Sequence, residues 1–136
     1  MVESTDTRIT RRLVLASAAA ALAARAAAQG DRGLDGRRFE GVFIQRGKTS
    51  GDADMLTFSN GRFHSSACDR YGYSDAVYSA QRQGDVITFE AETESRKYGK
   101  LQWKGIVRGD KLDATATMLQ AGKTPIEHWV GGAVLR

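Results

Sequence analysis

Leu101–Met118, LQWKGIVRGDKLDATATM, is the stretch that decides the fold. Gly109-Asp110 is a two-residue hairpin turn flanked by residues that alternate between apolar and polar. A two-residue turn there sets Arg108 against Lys111. It then pairs Val107 with Leu112, Gly105 with Ala114, Trp103 with Ala116, and Leu101 with Met118. Those pairs fall on one face and are all apolar. The opposite face collects Lys104, Arg108, Lys111, Asp113, Thr115 and Thr117. A strand presents successive side chains to opposite sides, so this register gives one core face and one solvent face.

The same logic extends in both directions. Asn60-Gly61, a strong hairpin signal, pairs Phe58 with Phe63 and Leu56 with Ser65, and puts His64 opposite Thr57 on the outer face. A turn at Gln83-Gly84 pairs Ala80 with Ile87, Tyr78 with Phe89, and Ala76 with Ala91. Alternation dominates after residue 36, and the only proline is Pro125. Eight strands are predicted, over roughly 37–45, 53–59, 62–68, 73–82, 85–94, 99–108, 111–120 and 125–135. The fold class is therefore all-β.

Eight antiparallel strands with one apolar face each must cover that face. Closing the sheet into an up-and-down barrel does so and removes the edges; a two-sheet sandwich is the alternative. An eight-stranded barrel is just wide enough to be filled by side chains or to hold one small ligand. Gly41 and Gly105 face inward, giving space or letting strands bend. In such a meander the tight turns gather at one end. The longer connections, 46–52, around 69–72, 95–98 and 121–124, gather at the other, where function usually sits. In strand count, meander order and alternation of loop lengths, residues 36–135 resemble the lipocalin-like, or calycin, barrels. That family's opening glycine–any–tryptophan signature would fall near Gly36-Arg37-Arg38-Phe39, where a phenylalanine stands one place late. The resemblance implies a central cavity for a small, often apolar, ligand.

Residues 1–28 read as a cleavable signal peptide and 29–136 as one barrel domain. Arg8, Arg11 and Arg12 precede an apolar run from Leu13 to Ala24 that is too short to span a membrane, and Ala26-Ala27-Ala28 offers small residues for cleavage before Gln29. Thr10-Arg11-Arg12-Leu13-Val14-Leu15 resembles the twin-arginine export motif, with valine where phenylalanine is preferred. A general secretory signal is the alternative. Either route leads to the periplasm or outside the cell. The whole chain carries 20 basic and 16 acidic residues; cleavage after Ala28 leaves sixteen and fourteen, a net charge of +2. That balance gives no basic face for nucleic acid.

The chain has one cysteine, Cys68, and two histidines, His64 and His128. In an oxidising compartment Cys68 has no partner in its own chain. It is a buried small residue, a thiol at the barrel mouth, or an intermolecular link. His64 and Cys68, four apart on a strand, would lie about 13 Å apart, too far to share one metal ion. Glu127 and His128 alternate across a strand, so neither orients the other; the flanks do not decide which face His128 takes. Glu90 falls opposite Lys104 on the outer face, an ordinary cross-strand pair.

Phe58, Phe63, Tyr78, Phe89 and Trp103 face inward. Tyr78 and Trp103 need hydrogen-bond partners if buried, and Ser65, Ser74 and Thr93 could supply polar groups among them. Inward Ser65, Tyr78, Phe89 and Trp103, with Tyr71, Tyr73 and Cys68 near the mouth and His128 on the last strand, form the candidate ligand site. No phosphate-binding glycine loop, zinc-spaced cysteine set or serine-hydrolase elbow is present in the sequence, so no cofactor or metal is assigned. The expected function is binding of a small apolar or amphipathic molecule. A cofactor-independent isomerase or cyclase, with His128 and Tyr78 as candidate groups, and a protein-binding module acting through the loops are the alternatives.

Overall fold

A computed structural model describes residues 33–135. The expected signal peptide, twin-arginine motif and cleavage site after Ala28 lie outside the described residues. Eight strands, β1 (Arg38–Gln45), β2 (Asp52–Ser59), β3 (Arg62–Ser65), β4 (Ala76–Gln83), β5 (Val86–Ser95), β6 (Gly99–Arg108), β7 (Lys111–Leu119) and β8 (Ile126–Val134), form a closed antiparallel up-and-down barrel in sequence order. Closure comes from β1 pairing with β8, from Phe39 opposite Val134 to Gln45 opposite His128. A closed eight-stranded antiparallel barrel is consistent with a lipocalin-like architecture.

The decisive hairpin has the predicted register: Arg108 opposes Lys111, Trp103 opposes Ala116, and Leu101 opposes Met118. Around Asn60-Gly61, Phe58 opposes Phe63 and Leu56 opposes Ser65; both turn residues have positive φ, at 53° and 74°, as a type I′ turn requires. The turn between β4 and β5 differs from the prediction. Gln83 opposes Val86 and Tyr78 opposes Ala91, so the turn residues are Gly84-Asp85. Glycine takes positive φ without strain and here occupies the first turn place, at 62°, as it does at Gly109, at 59°. This shift moves every pair by two residues, an even step, so all side chains keep their faces.

The third strand is shorter than predicted. It ends at Ser65, and Ser66–Tyr71 form a 3-10 helix, with β4 starting only at Ala76. Side chains of β2 and of the turn replace the ladder. Ala67 donates its N–H to Asp54 at 3.1 Å, and Met55 donates its N–H to Ser66 Oγ at 2.8 Å. The 13 Å strand spacing between His64 and Cys68 therefore does not apply. Instead the helix turns Cys68 into the interior, while His64 stays outside with Nε2 3.0 Å from Asp69 Oδ1.

The turn-bearing half of the barrel is solid. Phe58 sits at its hub, 5.0–6.0 Å from the rings of Phe39, Phe63, Tyr78 and Phe89, mostly edge to face. Trp103 packs on Phe63 at 4.7 Å. Gly105 faces this cluster, and a Cβ there would overlap the Phe89 ring, so the missing side chain makes the room the ring occupies. Burying each such ring contributes roughly 1.5–3 kcal/mol, which favours filling this half over leaving it hollow. Leu34, in the turn preceding β1, is fully buried and plugs this end.

Candidate functional site

The loop-bearing end is open. A cavity of about 540 Å³ descends from the mouth between β1, β7, β8 and the 3-10 helix. Phe43, Cys68, Tyr73, Tyr98, Leu101, Met118 and His128 wall it; Tyr71, Lys48, Asp52, Gln120, Lys123 and Ile126 stand at the rim. This volume lies within the range of small-molecule sites, and the lining is mostly apolar with a few polar atoms.

Alternation on β8 turns His128 inward, where it is 7% exposed. Its ring stacks on Phe43, centroids 4.6 Å apart and planes 29° from parallel. Nδ1 lies 3.2 Å from the Ala116 carbonyl oxygen across the β7–β8 ladder. A carbonyl can only accept, so Nδ1 carries the proton and Nε2 the lone pair. Burial depresses the His128 pKa below 6.5, opposed by the bond to Ala116, and keeps the ring neutral.

On the opposite wall, Cys68 belongs to a buried polar cluster. Ser65 Oγ lies 2.9 and 2.8 Å from the two carboxylate oxygens of Asp54 and 3.4 Å from Cys68 Sγ. Asp54 is 2% exposed, and burial raises its pKa above 3.8 against the lowering effect of its bonds from Ala67 and Ser65. Burial likewise pushes the Cys68 thiol up to about 11, with Asp54, Asp69 and Asp52 adding to the rise. Cys68 is thus a buried, protonated thiol on the cavity wall, with its sulfur engaged by Ser65. Tyr73, 5% exposed, has its phenol pushed up to about 12 by burial, and its hydroxyl donates weakly to the Tyr98 carbonyl at 3.5 Å.

Four of the eight residues predicted for the site, Cys68, Tyr71, Tyr73 and His128, come together around this cavity. The other four lie apart from it. Trp103 is in the layer beneath, 5.8 Å from Phe43, with Nε1–H donating to Thr93 Oγ1 at 3.2 Å. Phe89 belongs to the solid half. Ser65 is turned to Asp54. Tyr78 donates its hydroxyl to Asp35 Oδ1 at 2.6 Å at the closed end, where Asp35 also accepts the Gly61 N–H of the turn. The polar partners of Trp103 and Tyr78 thus belong to the scaffold.

Sequence reasoning missed Asp54, Phe43, Tyr98 and Asp35. Two of them were within reach: alternation puts Asp54 on the face of Leu56 and Phe58, and Phe43 on the face of Phe39 and Gly41. Tyr98 and Asp35 sit in connections, where period-2 alternation says nothing. The Tyr98 loop is held by Ser95, whose Oγ donates to the Tyr71 carbonyl at 2.7 Å and accepts the N–H groups of Lys97 and Tyr98.

At the rim, Arg70 is paired with Asp52. Among the described residues neither Lys48 nor Lys123 is in an ion pair. No group of three or more His, Cys, Asp or Glu side chains that could hold a metal occurs among them. No described helix is long and apolar enough to cross a membrane. Comparison of the chain with protein-family models, with curated proteins and with solved structures finds no match to any.

Proposed function

We propose that this chain is an exported barrel that binds one small amphipathic molecule in the cavity at its loop-bearing end. The observation that carries the reading is the division of the interior: one half is packed solid by aromatic rings, while the other keeps about 540 Å³ open. The lining suits an apolar body, and Lys48 and Lys123 at the rim suit an anionic or polar head. Export follows from the basic start, the short apolar run and Ala26-Ala27-Ala28, by the twin-arginine or the general secretory route.

The test is a titration of the chain beginning at Gln29 with 1-anilinonaphthalene-8-sulfonate, an apolar dye with an anionic group. Saturable fluorescence excited through tryptophan is expected, since Trp103 lies directly beneath Phe43. Replacing Leu101, a cavity-wall residue, by Trp should abolish it. Dye emission that never saturates, or that survives Leu101→Trp unchanged in a folded protein, contradicts the reading. A mass beginning at Gln29 in the exported fraction checks the export step.

One observation favours a second reading, a cofactor-independent isomerase or cyclase: His128 faces inward with a neutral ring, as a general base requires. Conversion of a bound ligand, lost in His128→Asn with binding retained, distinguishes this reading from simple binding.

A further inference from the structure

We infer that His128 Nε2 is the polar anchor of the cavity, accepting a hydrogen bond from the hydroxyl of a phenol-type aromatic ligand. The inference rests on the cavity reading above and names the ligand class that the site selects.

Three observations carry it. The bond from Nδ1–H to the Ala116 carbonyl assigns the lone pair to Nε2 and holds the ring in one orientation. Among the described residues no group pairs with Nε2, although His128 is 7% exposed and every buried side-chain nitrogen and oxygen has a partner. An atom with no partner that is not sealed in the protein must open on the space His128 lines, which is the cavity. Stacking on Phe43, with ring centroids 4.6 Å apart, fixes the tilt of the imidazole and so the direction of that nitrogen.

The remaining surfaces fit the same ligand. Tyr73 and Tyr98 add aromatic rings to the lining, and Met118, one rung nearer the mouth opposite Ile126, offers a polarisable thioether. A planar ring sliding between these walls would place one edge at Nε2. There a hydroxyl donor supplies the partner that no described group gives the nitrogen. A ligand bearing an ether oxygen at that place sets one acceptor against another and leaves the imidazole unpaired in a desolvated site.

The experiment compares 2-naphthol with 2-methoxynaphthalene, in which a methyl group replaces the donor hydrogen, by calorimetric or fluorescence titration of the unmodified protein. Naphthol is expected to bind about tenfold more tightly, the loss associated with one unpaired buried acceptor. His128→Phe, which keeps a ring against Phe43 but has no acceptor, should lose the preference for naphthol over the ether. Long-range proton–nitrogen NMR should show the Nε2 resonance moving on addition of naphthol, with Nδ1 remaining protonated. Equal affinity of the unmodified protein for both probes overturns this inference and leaves the cavity reading standing. A preference retained in His128→Phe overturns it too. Binding of neither probe removes the cavity reading and this inference together. If His128→Phe does not fold, the probe pair and the NMR signal on the unmodified protein still decide.

Discussion

Two glycines on facing strands of the closing seam predict opposite outcomes for the same substitution. β1 and β8 close the barrel through Gly41 opposite Gly132 and Val42 opposite Gly131. A Cβ on Gly41 would overlap the Gly131 carbonyl oxygen and lie 2.6 Å from both the Gly131 carbonyl carbon and Gly132 Cα. Those atoms are backbone of the hydrogen-bonded partner strand, so no side chain can swing away. Reaching ordinary contact at 3.4 Å requires the strands to part by about 0.8 Å at these carbons, and more at the oxygen. Overpacking commonly costs 1–3 kcal/mol, and a backbone obstacle in the seam puts Gly41→Ala at about 3 kcal/mol. For a domain of this size that is a fall in Tm of about 12–24 °C. Gly131→Ala is the control. Its Cβ would meet nothing closer than Asp113 Oδ1 at 3.8 Å. Lower entropy of the unfolded chain then makes it neutral or more stable by about 0.4–1 kcal/mol. Thermal unfolding by circular dichroism, backed by urea midpoints, measures both. A Gly41→Ala Tm within about 2 °C of the parent, or an equal fall in Gly131→Ala, refutes the account of closure.

Thr93→Val keeps the shape but removes the acceptor of the Trp103 indole N–H. It should cost about 1–3 kcal/mol in urea unfolding, and an unchanged midpoint shows that the bond carries no weight. Cys68, with its thiol pushed up to about 11 and 4% exposed, should react with Ellman's reagent at pH 8 at least about a hundredfold more slowly than a free thiol and fully once unfolded. Prompt native labelling contradicts its placement. Asp54→Asn can still accept the Ala67 N–H and donate to Ser65, so it should fold. The folded Asp54 pKa is raised, so the ionised group costs stability above that pKa and the cost disappears as pH falls through it towards 3.8. Asp54→Asn should therefore match or exceed the parent at pH 7, with the difference shrinking near pH 4; a variant much weaker at pH 7 than at pH 4 runs against this sign. His128 acts in the other sense. Its folded pKa is depressed, so the unfolded chain takes up the proton first, and stability should fall as pH drops below 6.5 by an amount that His128→Phe lacks.

Part of the candidate site is legible in the sequence, and the division has a cause. Loop lengths alternate around a meander and so put Cys68, Tyr71 and Tyr73 at the end with the longer connections. For Ser65, Tyr78, Phe89 and Trp103 the sequence gives only an inward direction. Direction is a property of one strand, whereas height along the barrel axis depends on tilt and stagger between all eight strands. That height separates Trp103, one layer below Phe43, from the cavity itself. His128 shows the complementary limit: its flanking turn is irregular, so its face followed only once β8 was paired with β7 and β1.

By itself the sequence determined the all-β class, the antiparallel order, the register of two hairpins and which faces turn inward, because period-2 alternation and the φ demands of Asn-Gly and Gly-Asp turns are local. Tertiary structure alone decided that the interior is solid at one end and open at the other, that the third strand gives way at Ser66 to a 3-10 helix, and that Asp54, Ser65 and Cys68 meet. Each of those depends on side chains from strands or turns that come together only when the barrel closes. Packing there is a competition for shared volume that no single strand's pattern encodes.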